Sequence, residues 1–497
     1  MEPSTTAHCL NVYQTKQHEQ AAILAEIQKR YNILSYARLI VFLLGVGVAY
    51  LLFRIGFWPG MLGGIASLLG FLYLVRAHTL VAEKKAYAQR LGEIIEGEKT
   101  ALVGQWYERD AGKVFVDPAH DYAFDLDIFG RGSLFQYLNR TGTMLGRQRL
   151  ADRLKGPDQD VEIVVAEQAA VREMKEQLDW MLRFEALGMA ELQKQDASAS
   201  ILKWSRETPV LSKDRWIPLL TRYMPWIFGL TIAAWLIPDL PVLRAMLGGW
   251  HLPGWVPGAI FLMNLGIVGR RLSHTNAQQN QVGRKAEMLR TFAVLLEEIE
   301  KFPAQSDKLR EEREALRTED VPASEAIARL GDLSYMLDQR LNMIAGLLLN
   351  GIMLWDLRYV MRLEQWRATY QAALPQWFDI LATWDARASL ARFAWNHPAF
   401  VWPEVKQGDF RLEAAALGHP LLDPDTRVDN DVSIPHPGAF LITTGANMAG
   451  KSTFLRTVGV SLILGSLGAP VCAARYCFTP LRMMTSIRNS DSLTDHE

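Results

Sequence analysis

Cysteine is scarce in this chain. Cys9, Cys472 and Cys477 are the only three among 497 residues, too few and too unevenly spaced for a disulfide framework. Cys472 and Cys477 have no second pair and no histidine cluster beside them. That favours reduced thiols in a cytosolic domain over a metal site. The ten histidines are scattered, and no H-x-x-x-H pair occurs on a helical pattern. Net charge is also lacking. The 53 Lys and Arg against 54 Asp and Glu leave −1, so no global basic signal points to nucleic acid and only a local patch stays open. The first 30 residues are polar and contain no apolar leader core. No internal repeat, low-complexity linker or Ser-His-Asp spacing stands out.

What the chain does have is long apolar runs, hidden by a mean hydropathy near zero. Ile55 to Val75 is uncharged over 21 residues, enough to cross a bilayer as a helix. Leu39 to Phe53 is uncharged over 15. It spans when extended past Arg38, whose long side chain can reach the interface. Arg54 and the Phe57-Trp58-Pro59-Gly60 turn separate the two runs, which therefore read as a hairpin. A second pair, Tyr223 to Pro238 and Leu252 to Gly269, reads the same way. Its connector carries Pro238, Asp239, Pro241 and Gly248-Gly249, and Trp250 and Trp255 suit an interface. The competing reading for each pair is a buried hairpin of core helices. The spans expected are 39–53, 55–75, 223–238 and 252–269.

Charge placement favours the membrane. Lys29, Arg30, Arg38, Arg76, Lys84, Lys85 and Arg90 flank the first pair. Lys213, Arg215, Arg222, Arg270, Arg271, Arg284 and Lys285 flank the second, whereas the two connectors hold only Arg54 and Arg244. The positive-inside rule then puts both termini and the soluble bulk in the cytoplasm, with a multi-pass anchor in the inner membrane. A third apolar run, Leu341 to Trp355, contains Asn342 and Asn350 and leads into an amphipathic stretch, so it is expected to be a buried core helix, with a transmembrane segment as the rival reading. Gln281 to Glu300 places Met288, Leu289, Phe292, Leu295, Leu296 and Ile299 on one face. Val161 to Leu187 reads as one long helix with Val164, Val165, Ala169, Val171, Met174 and Leu178 inward. The mixed-charge run Lys308 to Asp320 reads as a solvated helix face. Strand signals gather only after Phe400, at Phe410 to Ala415 and Val432 to Ile434.

The most specific segment is Gly445-Ala446-Asn447-Met448-Ala449-Gly450-Lys451-Ser452, a full G-x-x-x-x-G-K-[ST] phosphate-binding pattern. Ala439 to Thr444 before it reads as a buried parallel strand, and Thr453 to Leu464 after it as a helix. Strand, glycine loop and helix in that order aim backbone N–H groups at phosphate oxygens. Lys451 would reach the β- and γ-phosphates of ATP, and the Ser452 hydroxyl would hold Mg²⁺. A glycine turn with a chance lysine is the rival, and both flanks argue against it.

The segment Thr444 to Arg456 resembles the Walker A segment of the MutS family of DNA mismatch repair ATPases, whose wording is T-G-P-N-M-x-G-K-S-T-x-L-R. Ala446 stands where that family has proline. Ser133 to Leu150 is similar to the start of the family's helical core and Asp385 to Ala394 to its end. Gly418-His419-Pro420-Leu421-Leu422 and Asp429-Asn430-Asp431 resemble its segments before the P-loop strand. The resemblance implies a mainly α-helical core with transmembrane hairpins, followed by the N-terminal part of an α/β P-loop (ABC-type) ATPase domain. The implied division is 1–100, 101–395 and 396–497. ATP and Mg would meet Gly445, Ala446, Asn447, Met448, Ala449, Gly450, Lys451, Ser452 and Thr453, with His419 and Pro420 near the nucleotide and a homodimer as the assembly.

The departures are equally specific. A membrane hairpin occupies the place of the mismatch-reading domain, and none of the 20 phenylalanines is followed by x-Glu, the family's wedge motif. The second hairpin falls where the DNA clamp would be. This resembles membrane-associated MutS-like proteins. DNA contact is then expected to be weak and non-specific, and lipid is the other partner. The rivals are a membrane ATPase that couples nucleotide state to its helices or a protein partner without DNA, and a non-catalytic scaffold. Ser490-Asp491-Ser492-Leu493 resembles the stretch after the P-loop helix. No Walker B strand follows within the 45 residues after Ser452, and Asp491, Asp495 and Glu497 follow no apolar run. The expectation is a C-terminal truncation with no useful hydrolysis by these residues alone.

Overall fold

The first apolar runs extend into polar helix at both ends. In the computed structural model, Thr5–Ile55 is one helix of 51 residues and Phe57–Leu102 one of 46. The structure describes residues 5–192, 198–211, 214–236, 252–318, 320–446 and 449–486. Gly56 is the single non-helical residue between the two helices, in extended backbone. Pro59 sits in the first turn of the second helix, where its missing N–H leaves no bond unmade. Small residues line the crossing. A Cβ on Gly60 would lie 2.3 Å from the Phe53 ring, one on Gly63 2.3 Å from Leu52 and one on Gly45 2.8 Å from Ser67. Close backbone approach of this kind is how helices pack where lipid supplies no hydrophobic drive.

The chain divides into two compact units. The first comprises residues 1–142, 147–189 and 385–497, the second 143–146 and 190–384. In the first, the polar ends of the hairpin meet the end of the Leu374–Asn396 helix. Tyr13 OH donates to Asn396 Oδ1 at 3.0 Å, and Asn396 Nδ2 donates to Glu98 Oε2 at 2.7 Å. Buried Glu98 also takes Arg140 Nε at 2.8 Å, Arg109 at 3.1 Å and Arg392 at 3.6 Å. Burial alone would push the Glu98 carboxyl up, but the three guanidinium groups outweigh it and hold it well below the usual carboxylate range. The same unit holds Leu134, Phe135, Leu138, Leu150, Phe184 and Leu390, all essentially fully buried.

The expected helix Val161 to Leu187 is two helices, Val161–Lys175 and Leu178–Leu192. Val164, Val171, Met174 and Leu178 are buried as the stripe required, but Val165 and Ala169 are exposed. Gly188 on the second helix touches backbone. A Cβ there would lie 2.7 Å from the Gly142 carbonyl oxygen, and Gly142 N–H donates to Asp385 Oδ1 at 2.9 Å. A Gly188→Ala variant is therefore expected to lose about 1–3 kcal/mol, the usual cost of forced overpacking. A lowered midpoint of thermal unfolding in detergent would show it.

The only sheet of more than two strands among the described residues lies in this unit. Its order is Glu404–Val405, Arg475–Phe478, Leu412–Leu417 and Asn430–Ile434, with the first pair parallel and the others antiparallel. Two of these strands fall on the expected signals near 410–415 and 432–434. The expected strand at 439–444 does not form: Phe440, Leu441 and Ile442 are exposed and pair with no described strand. An apolar, β-branched run becomes a strand only when neighbours take its N–H and C=O groups.

Among its described residues the second unit is built of helices, with a short Arg317–Thr318/Val321–Pro322 ribbon. Its Ala286–Glu300 helix buries Met288, Leu289, Phe292, Leu295, Leu296 and Ile299 against Ala323–Asp338, the face read from spacing. The Met343–Met353 helix departs from expectation. Met343 is 84% and Ile344 68% exposed, so it is not a buried core helix. Apolar composition alone does not say which neighbour covers a helix.

Candidate functional site

The P-loop helix runs Lys451–Ser466. Its entry needs glycine: Gly450 has φ 82° and Gly445 φ 159°, the former in the left-handed region that side chains resist. The first-turn N–H groups of an α-helix have no intrahelical acceptor, and the helix dipole adds positive potential there. Lys451 Nζ donates to the carbonyls of Gly445 and Ala446 at 2.7 and 2.6 Å. The ammonium therefore sits over the loop it would share with a polyphosphate. Ser452 and Thr453 lie exposed on the first turn. Gly445, Ala446, Ala449, Gly450, Lys451, Ser452 and Thr453 are thus brought together. Asn447 and Met448 lie outside the described residues, as do Ser490, Asp491, Ser492, Leu493, Asp495 and Glu497.

This donor set fits a phosphate-bearing ligand: it combines a cation, a helix N-terminus and a glycine loop. Among the described residues no cluster of three metal-ligating side chains occurs. Magnesium would be held by Ser452 together with the nucleotide's own phosphates.

A segment that spacing did not single out braces the helix. Arg456 Nε donates to the Asp125 carbonyl at 2.9 Å, and Arg456 Nη1 lies 3.3 Å from Asp127 Oδ2. Leu126 fills the space beside Gly459, where a Cβ would meet it at 2.7 Å. Thr485 Oγ1 donates to Asp125 Oδ2 at 2.9 Å, and Arg482 pairs with Asp121 at 2.9 Å. The acids at 121, 125 and 127 carry no motif, and their partners lie more than 300 residues away in sequence. The one signal was the arginine of the S-T-x-L-R run.

His419 lies within electrostatic reach of Arg456, on the strand-side loop where Gly418 N–H donates to the Cys472 carbonyl at 2.8 Å. Burial pushes its imidazole down, and Arg456 and Arg427 push it further, to about 4. His397, packed between Tyr137 and Phe400, is lowered by burial to about 4 as well. The unfolded chain holds these protons near 6.5. Folding therefore favours the neutral rings, and their contribution is complete above about pH 6.5 and is lost as pH falls toward 4. Thermal midpoints should be flat from pH 8 to 7 and fall between about pH 6.5 and 4.5. A His397→Gln/His419→Gln double variant should flatten that fall. All three cysteines are free and buried, and burial raises the Cys472 thiol to about 11, so it stays protonated.

Two described helices, Thr6–Ile55 and Phe57–Leu102, are long and apolar enough to cross a membrane, and their apolar windows are unburied. Of the second expected pair, Ile217–Leu236 and Trp255–Gly269 are helical, the latter short for a span at 15 residues. Pro238, Asp239, Pro241, Arg244, Gly248, Gly249 and Trp250 lie outside the described residues.

No family profile matches the chain. The DNA mismatch repair protein MutS of Azorhizobium caulinodans is 27% identical over 474 residues, covering 83% of this chain and 48% of that protein. MutS of Anaeromyxobacter dehalogenans (strain 2CP-C) is 36% identical over 130 residues, 23% of this chain and 14% of its own length. DNA mismatch repair protein MutS 1 of Halobacterium salinarum is 40% identical over 98 residues, 19% of this chain and 11% of its own. The chain spans at most about half the length of these three curated relatives. The long match supports a MutS-like affiliation.

Proposed function

We propose that this chain is a membrane-anchored, MutS-like ATP-binding protein whose full assembly is a dimeric, DNA-associated ATPase. The observation that carries the reading is the Lys451 ammonium curled over a glycine loop at a helix N-terminus, in the unit that also holds the apolar hairpin. Residues 1–100 serve as anchor, 101–395 as helical core and 396–497 as nucleotide-binding portion. Lys451 would exchange the Gly445 and Ala446 carbonyls for phosphate oxygens of Mg-ATP. The Ser452 hydroxyl would hold the metal, and by resemblance Asn447, Met448 and His419 would complete the surround. The hairpin crosses the inner membrane with the bulk of the chain on the cytoplasmic side, as the flanking Lys and Arg favour.

DNA is held through phosphates alone in this reading, because a Phe-x-Glu wedge is missing from the sequence. The names of the relatives speak of mismatch repair; this chain is expected to bind duplexes weakly, with affinity falling steeply as salt rises. Gel shifts with matched and mismatched duplexes should coincide. A mismatch preference above about tenfold, roughly 1.4 kcal/mol, would refute the proposal.

A further inference from the structure

Within the second unit, the Trp255–Gly269 helix packs against both Ile217–Leu236 and Met343–Met353. The polarity of this three-helix group is inverted. Its outward side chains include Trp226, Leu230, Leu262, Met343, Ile344 and Leu347, all exposed. Its polar groups face inward. Asn264, 0% exposed, donates through Nδ2 to the Gly351 carbonyl at 2.8 Å. Buried Asn350 donates to the Gly346 carbonyl at 3.0 Å and accepts from Asp356 N–H at 2.9 Å. Gly351 lets the helices touch, since a Cβ there would lie 2.1 Å from the Phe261 ring.

A water-soluble bundle does the reverse: it buries Leu, Ile and Met and leaves Asn outside. A contiguous apolar surface rimmed by charge marks a contact site. Three observations select lipid as the occupant. The same chain carries two helices whose apolar windows are long enough to cross a bilayer and unburied. Arg222, Arg270 and Arg271 are exposed near helix ends, with Tyr223 next to Arg222, and exposed Trp255 lies at the opposite end of its helix from Arg270, charged and aromatic flanks of the kind expected at membrane interfaces. Small-residue packing and interhelical Asn bonds are the glue that helices use in lipid.

Length then sets the depth. Met343–Met353 has 11 residues, about 16 Å of helix, roughly half the ~30 Å hydrocarbon thickness. At Leu354, with φ 52°, the chain bends by 80° into Trp355–Tyr370. That helix is polar and buries Glu364 and Arg367. The geometry points to a second lipid-contacting module in which Met343–Met353 enters one leaflet and the chain turns aside at Leu354. This rests on the membrane reading above.

The test uses the full chain in phosphatidylcholine/phosphatidylglycerol vesicles, with the fluorophore NBD attached at Leu347→Cys or, as a second site on the same face, Ile344→Cys. The native thiols are buried. A label at Ile163→Cys, exposed on the Val161–Lys175 helix, is the control. The 347 and 344 labels are expected to lose most of their emission to acyl-chain nitroxide lipids and little to aqueous iodide, with the control showing the opposite. Iodide quenching at 347 and 344 in protein that floats with the vesicles would overturn the module and leave the anchor standing. Shielding from both quenchers would show that protein covers the face, and would overturn it too. Failure of the chain to float at all would sink the anchor reading and this one together.

Discussion

Replacing Glu98 with alanine is expected to destabilise the first unit by about 3–5 kcal/mol, the cost of leaving buried charges without a partner. Arg140 and Arg392 are essentially inaccessible to water, and Arg109 is largely so. Arg392 keeps Glu185 at 2.9 Å, so the heaviest loss falls on Arg140, which bonds Glu98 through two nitrogens. Asn396 loses its acceptor as well, and with it the link through Tyr13 to the first helix. Glu98→Gln keeps an acceptor but removes the charge, so a smaller loss is expected. The exposed pair Arg30–Glu26 is the contrast: a Glu26→Gln change should cost about 0–1 kcal/mol. Unfolding midpoints in detergent compare the three variants. Limited proteolysis should find the polar ends of the hairpin cleaved faster in Glu98→Ala alone.

Lys451→Ala is expected to weaken Mg-ATP binding by about 10- to 100-fold. A hydrogen bond to a charged group contributes about 1.5–3 kcal/mol, and each 1.4 kcal/mol is a factor of about ten. Among the described residues the amine bonds to the exposed Gly445 and Ala446 carbonyls, which water can satisfy after truncation. Stability should therefore hardly change while affinity falls, and this separation marks a binding role. Titration with a fluorescent ATP analogue, paired with a thermal melt, measures both. Unchanged affinity in Lys451→Ala would remove the site assignment.

The parts legible in the sequence were those set by local pattern. The 55–75 run named a long apolar helix because lipid-facing helices leave a continuous signal, and the 288–299 face named a core helix through its period. The exposure of Met343–Met353 was not legible, because an apolar helix looks the same in sequence whether or not the rest of the chain covers it. The strand expected at 439–444 failed for a related reason: strand formation depends on partners elsewhere in the chain. The Glu98 cluster was invisible, since Arg140 lies 42 residues and Asn396 298 residues away. Within the candidate site, the loop and its lysine were legible as a motif. The brace at 121–127 was not, because its carboxylates gain meaning only beside Arg456.

The central claim is that one chain both enters a bilayer and holds a nucleotide. Flotation of vesicle-reconstituted protein through a density gradient with radiolabelled Mg-ATP tests both halves in one tube. The account predicts that protein and ATP rise together with the lipid, and that Lys451→Ala protein rises without ATP. Protein left at the bottom without detergent, or wild-type protein that floats with no more ATP than the Lys451→Ala variant, would contradict it.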